Sequence, residues 1–387
     1  MSREEQGQKG GMAGVIDALA ELPDPRQMSL CDYPLNEMLL VALCGVISGA
    51  QGWVDVAYWG NTKLQWLRQF LPFKNGIAAH DTFGRLFAAL DSRRFQACLI
   101  DWMADLCPLL AGQGLSIDGK SLRGSHNGDV PMAHIVSAWN VATGVTVGQL
   151  KTATKSNEIT AIPKLIESMD IGGAVVTIDA MGCQREIVAA VVDKQADYIV
   201  AVKNNQPNLA QAVESQFANV AASVQQGRLQ RDITVDKGHG RVETRSCVVA
   251  NELSAIESQL KCWPGVRSVV MVESTRQIVT GRDKGEPTTE WRYYISSLDV
   301  AAPEFNQRIR EHWAIENKCH WVLDVAFKED ACRVRCGHGA ENLGILRRLA
   351  LNLISQDKGT KRSKRLKLLG AAWDCDYLRV LLGLKAI

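Results

Sequence analysis

The sequence of 387 residues has no apolar stretch of membrane-spanning length, and its net charge at pH 7 is only +2. Its longest apolar run, residues 38–50, is shorter than the roughly 20 residues that a membrane helix needs. Because no charged leader precedes this run, we expect a core helix, no membrane partner and a cytoplasmic protein. The small net charge also excludes binding to nucleic acid through bulk charge alone.

Paired C-x-x-C spacing is also missing, although the chain has 11 cysteines. One cluster has potential metal ligands, namely Cys319, His320, Cys332, Cys336 and His338. Without the paired spacing of a structural zinc site, free thiols in a reducing cytoplasm are the favoured interpretation. The zinc site remains the alternative.

Charge is unevenly distributed along the chain. Residues 305–387 carry 16 basic and 9 acidic side chains, whereas residues 1–111 carry 9 and 12. The densest basic segment is KGTKRSKRLK, residues 358–367. Such a segment suits contact with phosphates, although a solvated polar face is the simpler alternative.

The stretch GLSIDGKS, residues 114–121, fits the pattern of a phosphate-binding loop, G-x-x-x-x-G-K-[ST]. That loop requires a strand before its first glycine and a helix starting at its lysine. Here the apolar residues lie inside the motif, and SLRGSHNGD follows it with a composition typical of turns. We therefore predict a buried strand, LSID, that ends at Asp118.

The fold class predicted from the remaining patterns is α/β, and the chain divides into four parts. Residues 1–110 predict an all-helical domain for DNA binding or assembly. Residues 111–205 predict the element order βββαβαβ, residues 206–303 a β-rich insertion, and residues 304–387 a helical C-terminus that completes the core. In the second part, the first and fourth strands end in Asp118 and Asp179. If these strands are parallel neighbours, both carboxylates lie at one edge of the sheet.

A helix predicted over residues 303–321 begins with proline and carries Glu316 at its centre. Ile309, His312, His320 and Leu323 share one stripe with this glutamate. Two aspartates and a glutamate are suitable ligands for two Mg²⁺ ions in phosphoryl transfer. Alone, each acid has a simpler explanation as a turn former or a surface charge.

Several motifs resemble, in this order, the H-repeat-associated group of bacterial insertion-sequence transposases. They are IDGKSLRGS, KSNEI, TIDAMGCQ, KNNQ, HGRVETR, HWAIENKCHWVLDVAFKEDACRVR and ENLGILRRLALNL. The resemblance extends from DPR at residue 24 to the C-terminal helices, so it covers nearly the whole chain.

The resemblance implies a ribonuclease H-like core and metal-dependent DNA cleavage and joining. It implies that Asp118, Asp179 and Glu316 are the catalytic residues and bind Mg²⁺ as two ions, with Mn²⁺ as a substitute. The wider superfamily often has Tyr, Arg and Lys where this chain has Ile309, His312 and Leu323, so the roles of those three residues are not transferred. Alternatives for the third acid are Asp324, Glu329 and Asp330; a His312-Glu316-His320 metal face is less suited to Mg²⁺.

The expected partner is double-stranded DNA, both the element ends and the target, bound by a homodimer or a larger assembly at the bacterial nucleoid. Alternatives are a nuclease that does not join DNA and a catalytically silent DNA-binding descendant. Polar side chains near the predicted strand ends and on the later helices are candidates for DNA contact, although solvation explains them equally well. They are Lys120, Arg123, Lys155, Lys203, Asn204, Asn205, Gln206, His312, Trp313, Arg333, Arg335, Arg347 and Arg348.

Overall fold

A computed structural model of the protein describes residues 22–106, 111–126, 128, 131–152, 158–238, 240–280 and 285–384. The chain forms two compact units. Unit 1 contains residues 1–109, 119–157 and 315–387, and unit 2 contains residues 110–118 and 158–314. The fold is mixed α/β, as predicted, while the predicted four-part division is not decided by these units.

Unit 1 begins with helices, as the apolar periodicity predicts. The run that is too short for a membrane forms the buried helix α1, in which every residue from Glu37 to Ile47 is buried. Among the described residues, no helix is both long enough and apolar enough to cross a membrane. The first helices are α1 (Leu35–Ile47), α2 (Trp53–Thr62), α3 (Leu64–Leu67), α4 (His80–Ala89) and α5 (Ser92–Leu106).

The GLSIDGKS stretch is a strand over its whole length, β1 (Gly114–Ser121), which contradicts a phosphate-binding loop. β1 continues past Asp118, so the prediction that it ends there is wrong. The next two strands, β2 (His134–Asn140) and β3 (Val145–Thr152), form an antiparallel hairpin. Residues 141–144 connect them, and Gly144 has the positive φ of 70° that this turn uses.

Unit 2 contains a mixed sheet with the strand order β1-β4-β5-β9-β8-β7-β6. β1, β4 and β5 are parallel, and the other strands are antiparallel to their neighbours. The predicted β-rich segment thus extends the same sheet. The elements are α6 (Glu158–Glu167), β4 (Val175–Ile178), α7 (Arg185–Asp193), β5 (Asp197–Val202), α8 (Pro207–Ser215), α9 (Val220–Gln225), β6 (Gln230–Gly238), β7 (Arg241–Ala250), α10 (Glu257–Leu260), β8 (Ser268–Ile278), β9 (Thr288–Ser296) and α11 (Ala302–His312).

A hydrophobic core joins α11 to one face of this sheet. Ala302, Phe305 and Ile309 pack on buried residues of several strands, including Val249 and Val272. Removing these side chains from water is the main contribution to holding the helix in place. The position of α11 is therefore fixed by its apolar stripe.

The helix predicted over residues 303–321 is interrupted. α11 ends at His312, a π-helical turn covers Glu316–His320, and α12 follows at Trp321–Val325. The C-terminal helices are α13 (Gly339–Gln356), α14 (Lys364–Trp373) and α15 (Cys375–Leu382). Short 3₁₀ turns lie at Met28–Leu30, Arg123–Ser125, Ala180–Gly182, Ser254–Ile256 and Glu329–Ala331.

Gly124, in the 3₁₀ turn after β1, is required by close packing. A Cβ atom at this position would overlap the backbone carbonyl oxygen of Cys332 and lie 2.8 Å from that of Asp330. Backbone atoms cannot move aside as the end of a flexible side chain can. The glycine of the SLRGS motif thus permits two segments of unit 1 to approach each other.

We predict that Gly124→Ala lowers the free energy of unfolding by about 1–3 kcal/mol, because the added methyl group forces backbone displacement. Urea unfolding followed by circular dichroism would measure this. Gly84→Ala is the matched control: its Cβ would meet only Trp53, at an ordinary 3.5 Å, and alanine favours the helix. Equal stability of Gly124→Ala and wild type would contradict the packing argument.

Candidate active site

Two aspartates occupy equivalent positions on adjacent parallel strands of unit 2. The β1–β4 register pairs Leu115 with Val176 and continues to Ile117 with Ile178. Asp118 is the next residue of β1 and Asp179 directly follows the end of β4, and both are half-buried. Neighbouring strands lie about 4.8 Å apart. The predicted parallel pairing is confirmed, and it brings these two aspartates together.

The carboxylate of Asp179 is held by the turn that follows it. Its Oδ1 accepts hydrogen bonds from the backbone N–H groups of Met181 at 3.0 Å and Gly182 at 3.3 Å. The backbone of this turn is tied in place by the turn after β5: Asn205 Nδ2 donates to the carbonyl of Ala180 at 2.7 Å, and Gln206 Nε2 to that of Cys183 at 3.0 Å. Asp179 is thereby preorganised.

A row of hydrogen-bonded polar side chains includes the residues that lie two positions before each aspartate, Ser116 on β1 and Thr177 on β4. Thr177 Oγ1 donates to Ser116 Oγ at 3.2 Å and contacts His312 Nδ1 at 2.9 Å. With the threonine proton directed to Ser116, His312 is the donor in the second contact. The C-terminal end of α11 is thus attached to β4 beside Asp179.

Burial lowers the pKa of His312 to about 4, and nearby Arg292 lowers it further, while Asp179 opposes the shift. The imidazole is consequently neutral at neutral pH. It adds no charge for phosphate binding, so the predicted DNA contact of His312 could act only through hydrogen bonding.

A pocket in unit 2 opens beside Asp179. Its lining includes Lys203 from the end of β5, Arg292 from β9, and His312 and Trp313 from the end of α11. Arg292 lies over the ring of Trp313, with its guanidinium carbon 4.5 Å from the ring centroid. The pocket therefore presents cationic and aromatic groups next to one of the two carboxylates.

Glu316 belongs to unit 1, where it is exposed at the first position of the π-helical turn. The prediction of one continuous helical stripe is wrong, because the helix is interrupted after His312. That stripe was predicted to contain Ile309, His312, Glu316, His320 and Leu323. π-helical turns are rare and occur often at functional sites. The structure shows that Asp118 and Asp179 directly follow the paired residues Ile117 and Ile178. The role of Glu316 as the third acid stays a prediction.

Comparison with known proteins identifies the family. Residues 110–353 match the family described as "Transposase DDE domain", and residues 16–103 match the family described as "DDE_Tnp_1-associated". The chain belongs to the DDE transposase family. The predicted resemblance to insertion-sequence transposases is confirmed.

Relatives of this DDE transposase family member extend over almost the entire chain. "H repeat-associated putative transposase YhhI" of Escherichia coli K12 is 37% identical over 95% of this chain and 97% of its own length. "Putative transposase YncI" of Escherichia coli O157:H7 is 38% identical over 95% and 94%. The solved piggyBac transposase synaptic complex with hairpin DNA aligns with 10% identity and a TM-score of 0.40 over 96% of this chain and 78% of that chain, which is too weak to support any argument.

The alternative third acids, Asp324, Glu329 and Asp330, form ion pairs inside unit 1. Lys120 Nζ lies 2.7 Å from Asp324 Oδ1, 3.6 Å from Glu329 Oε2 and 2.8 Å from Asp330 Oδ1. Burial lowers the pKa of Lys120, but these carboxylates outweigh it and raise the pKa above its usual value. The three acids therefore neutralise a buried lysine, and the choice of the third acid stays a prediction.

Three candidates for DNA contact have buried side chains. Lys120 is 7% exposed, Arg347 2% and Arg348 3%. Arg348 NH1 lies 2.9 Å from Glu329 Oε1, and Arg347 NH2 donates to the carbonyl of Gln51 at 2.9 Å. Acids of unit 1 pair with Lys120 and Arg348, and a backbone carbonyl holds Arg347. Burial and these contacts argue against the predicted direct contact with DNA.

The other candidates for DNA contact differ in exposure. Lys203, Asn204 and Arg333 are exposed, and Arg123, whose side chain is 81% exposed, lies 3.4 Å from Asp330. Arg335 donates to the carbonyl of Gly124 at 3.0 Å, and Lys155 lies outside the described residues. For the exposed residues DNA contact stays a prediction.

Oxygen ligands are available at the aspartate pair. The carboxylates of Asp118 and Asp179 suit a hard cation such as Mg²⁺. Among the described residues, no group of three or more His, Cys, Asp or Glu side chains is arranged to hold a metal ion. This applies also to the cysteine cluster, where Cys319 is buried and Cys332 Sγ contacts the carbonyl of Gln51.

His320 was not among the DNA-contact candidates, yet it is a buried titratable group. Burial lowers its pKa to about 3, and Arg348 and Lys120 also lower it, while Glu329 has the opposite effect. Between pH 6.5 and about 3 the unfolded chain therefore binds a proton that the folded chain does not bind. The contribution of the neutral His320 to the free energy of unfolding is therefore fully present above pH 6.5, and it is lost as the pH falls from 6.5 toward 3.

We predict that His320→Gln reduces the pH dependence of the free energy of unfolding between pH 6.5 and 4, by up to about 1.4 kcal/mol per pH unit for one proton. Urea unfolding at several pH values would measure it. His80→Gln, at a histidine whose side chain is 53% exposed, should leave the slope unchanged. The same slope for His320→Gln as for wild type would contradict the assignment.

Proposed function

We propose that the protein is a transposase that cleaves the ends of an insertion sequence and joins them to target DNA. Family membership supports DNA transposition as the function, and the observation that carries the catalytic proposal is the side-by-side position of Asp118 and Asp179. Glu316 is the proposed third acid. The βββαβαβ order and the parallel strands β1, β4 and β5 support a ribonuclease H-like core.

Asp118, Asp179 and Glu316 are proposed to hold two Mg²⁺ ions, with Mn²⁺ as a substitute. When bound, such ions stabilise negative charge on phosphoryl oxygens and increase the nucleophilicity of the attacking oxygen. The protein's own contribution is preorganisation: the backbone N–H groups of residues 181 and 182 orient the Asp179 carboxylate before DNA binds.

The proposed chemistry consists of two successive phosphodiester displacements. In the first, water attacks at the element end, the bond to the leaving 3′-oxygen breaks, and a 3′-hydroxyl is released. In the second, that hydroxyl attacks a target phosphodiester and displaces another 3′-oxygen. Lys203, exposed beside Asp179, is placed to contact the DNA backbone at this edge.

Two DNA ends must be joined to the target together, which requires at least two active sites. We therefore propose a homodimer or a larger assembly on bacterial chromosomal DNA.

We predict that Asp179→Asn lowers cleavage and joining by at least about a hundredfold, since groups that only support metal ligands commonly cost 10–100-fold. Asparagine retains the oxygen that accepts the two backbone hydrogen bonds, so the fold should persist. The assay uses labelled DNA that flanks the protein's own gene, with Mg²⁺ or EDTA, and separates the strands on a denaturing gel. Asp193→Asn, at an exposed aspartate of unit 2, is the matched control.

Cleavage without joined products in wild type would favour a nuclease of the same fold. Binding without cleavage in both wild type and Asp179→Asn would favour a catalytically silent DNA-binding protein. Metal-dependent cleavage that is unchanged in Asp179→Asn would contradict the assignment of this residue.

A further inference from the structure

The sheet face that packs against α11 changes from apolar to cationic along its strands. The apolar part, which includes Val249, Val272 and Tyr294, packs under α11. Residues two positions apart on a strand share a face, so Arg245 lies on this face in line with Val249, and Arg292 in line with Tyr294. Three arginines continue this face beyond the apolar part, and Arg310 on α11 contacts Asp236 on the neighbouring strand β6. Together they are here called the arginine surface: Arg245, Arg276, Arg292 and Arg310.

The arginine surface has fewer acids than cations. Arg276 NH2 lies 3.5 Å from Glu243 Oε2, and Arg292 Nε lies 2.9 Å from Glu290 Oε1. Arg310 contacts Asp236. Lys203 is near enough to lower the pKa of Glu290 together with Arg292 and Arg276. Within the described part of the chain, the four arginines and the nearby Lys203 are thus matched in these contacts by three carboxylates.

Arg245 is the least neutralised member of the arginine surface. It is 7% exposed, and its Nε has no hydrogen-bond partner within the described part of the chain. Its nearest carboxylate contact within the described residues, with Glu243 Oε1, is 4.0 Å long. Burial lowers the pKa of Arg245, and Arg310 and Arg292 lower it further, although Glu243 opposes them. Burying a guanidinium beside two others is costly unless an anion compensates it.

The arginine surface reaches the pocket beside Asp179. Arg292 belongs to both: it contacts Glu290 on the sheet, and it lines the pocket together with Lys203 and Trp313. An extended anion could therefore contact the exposed Arg276 and Arg310 and continue past Arg292 to the aspartate. A single small anion would use only one of these positions.

We propose that the arginine surface binds the phosphodiester backbone of DNA and positions the strand segment adjacent to the one acted on at Asp179. This inference rests on the proposed function, since it takes DNA as the polyanion. Guanidinium groups pair with phosphate oxygens through two parallel hydrogen bonds, which makes arginine well suited to this role. Because Glu243 is only loosely paired with Arg276, this exposed arginine can bind a phosphate without losing a short ion pair. The buried Arg245 contributes positive charge beneath it.

The test compares the salt dependence of DNA binding by wild type and by an Arg276→Gln, Arg310→Gln double variant. Side chains of these two residues are 53% and 52% exposed, so their loss should not disturb the core. Fluorescence anisotropy with a labelled duplex of the flanking DNA, in EDTA over a KCl series, gives the slope of log K against log salt. We expect the slope to decrease by about two, or roughly 0.9 for each lost phosphate contact.

Two controls separate local contact from general charge. Arg267→Gln removes an exposed arginine that lies nine residues before Arg276, about 30 Å along the strand direction, and it should leave the slope unchanged. Arg276→Lys with Arg310→Lys retains the charge and should restore most of the slope. An unchanged slope in the Gln double variant, an equal decrease in Arg267→Gln, or no binding of DNA by wild type would overturn the proposal.

The result of this DNA-binding test does not depend on whether the protein cleaves DNA. A decreased slope in the double variant, with no cleavage by wild type in Mg²⁺, would support the arginine surface and contradict the proposed enzyme. Normal cleavage with an unchanged slope would leave the enzyme intact and overturn the arginine surface.

Discussion

The parallel pairing of β1 with β4 is the constraint on which the candidate active site depends. Its register places Ile117 opposite Ile178, and each isoleucine is followed by an aspartate. A shift by one residue would direct one carboxylate to the opposite face of the sheet. The buried apolar residues of both strands fix the register, since Leu115, Ile117, Val176 and Ile178 are each no more than 3% exposed. The hydrophobic core therefore determines where the acids lie.

Buried cations differ in how closely acids approach them. In unit 1, Lys120 and Arg348 contact acids that compensate their charge. One of these acids, the fully buried Glu329, has a pKa below its usual value. Burial raises this pKa, but Arg348, Arg347 and Lys120 lower it more. In unit 2, Arg245 is buried with only a distant carboxylate. A buried charge that nearby acids compensate has no need of an external anion, whereas an incompletely compensated charge can attract one. This separates Lys120 and Arg348 from Arg245; it does not separate Arg347, whose Nε also has no partner within the described residues.

Sequence patterns predicted the parts of the molecule that depend on local periodicity. The order βββαβαβ and the shared position of Asp118 and Asp179 follow from alternation and from the pairing of parallel strands. The interruption after His312 was missed because residues 309–323 fit a continuous helical stripe. Burial of Arg347 and Arg348 was missed because their partners are distant in sequence. The alternation Arg241, Glu243, Arg245 on β7 was the available signal for the arginine surface.

Iron-directed cleavage of the polypeptide would test most directly whether Asp118 and Asp179 form one metal site. Fe²⁺ that replaces Mg²⁺ generates hydroxyl radicals with ascorbate and peroxide, and these cut the backbone near the bound ion. We expect cuts close to residues 118 and 179. Excess Mg²⁺ should suppress both cuts, and both should be lost in Asp118→Asn. Cuts at only one of the two strands, or cuts unaffected by that substitution, would contradict it.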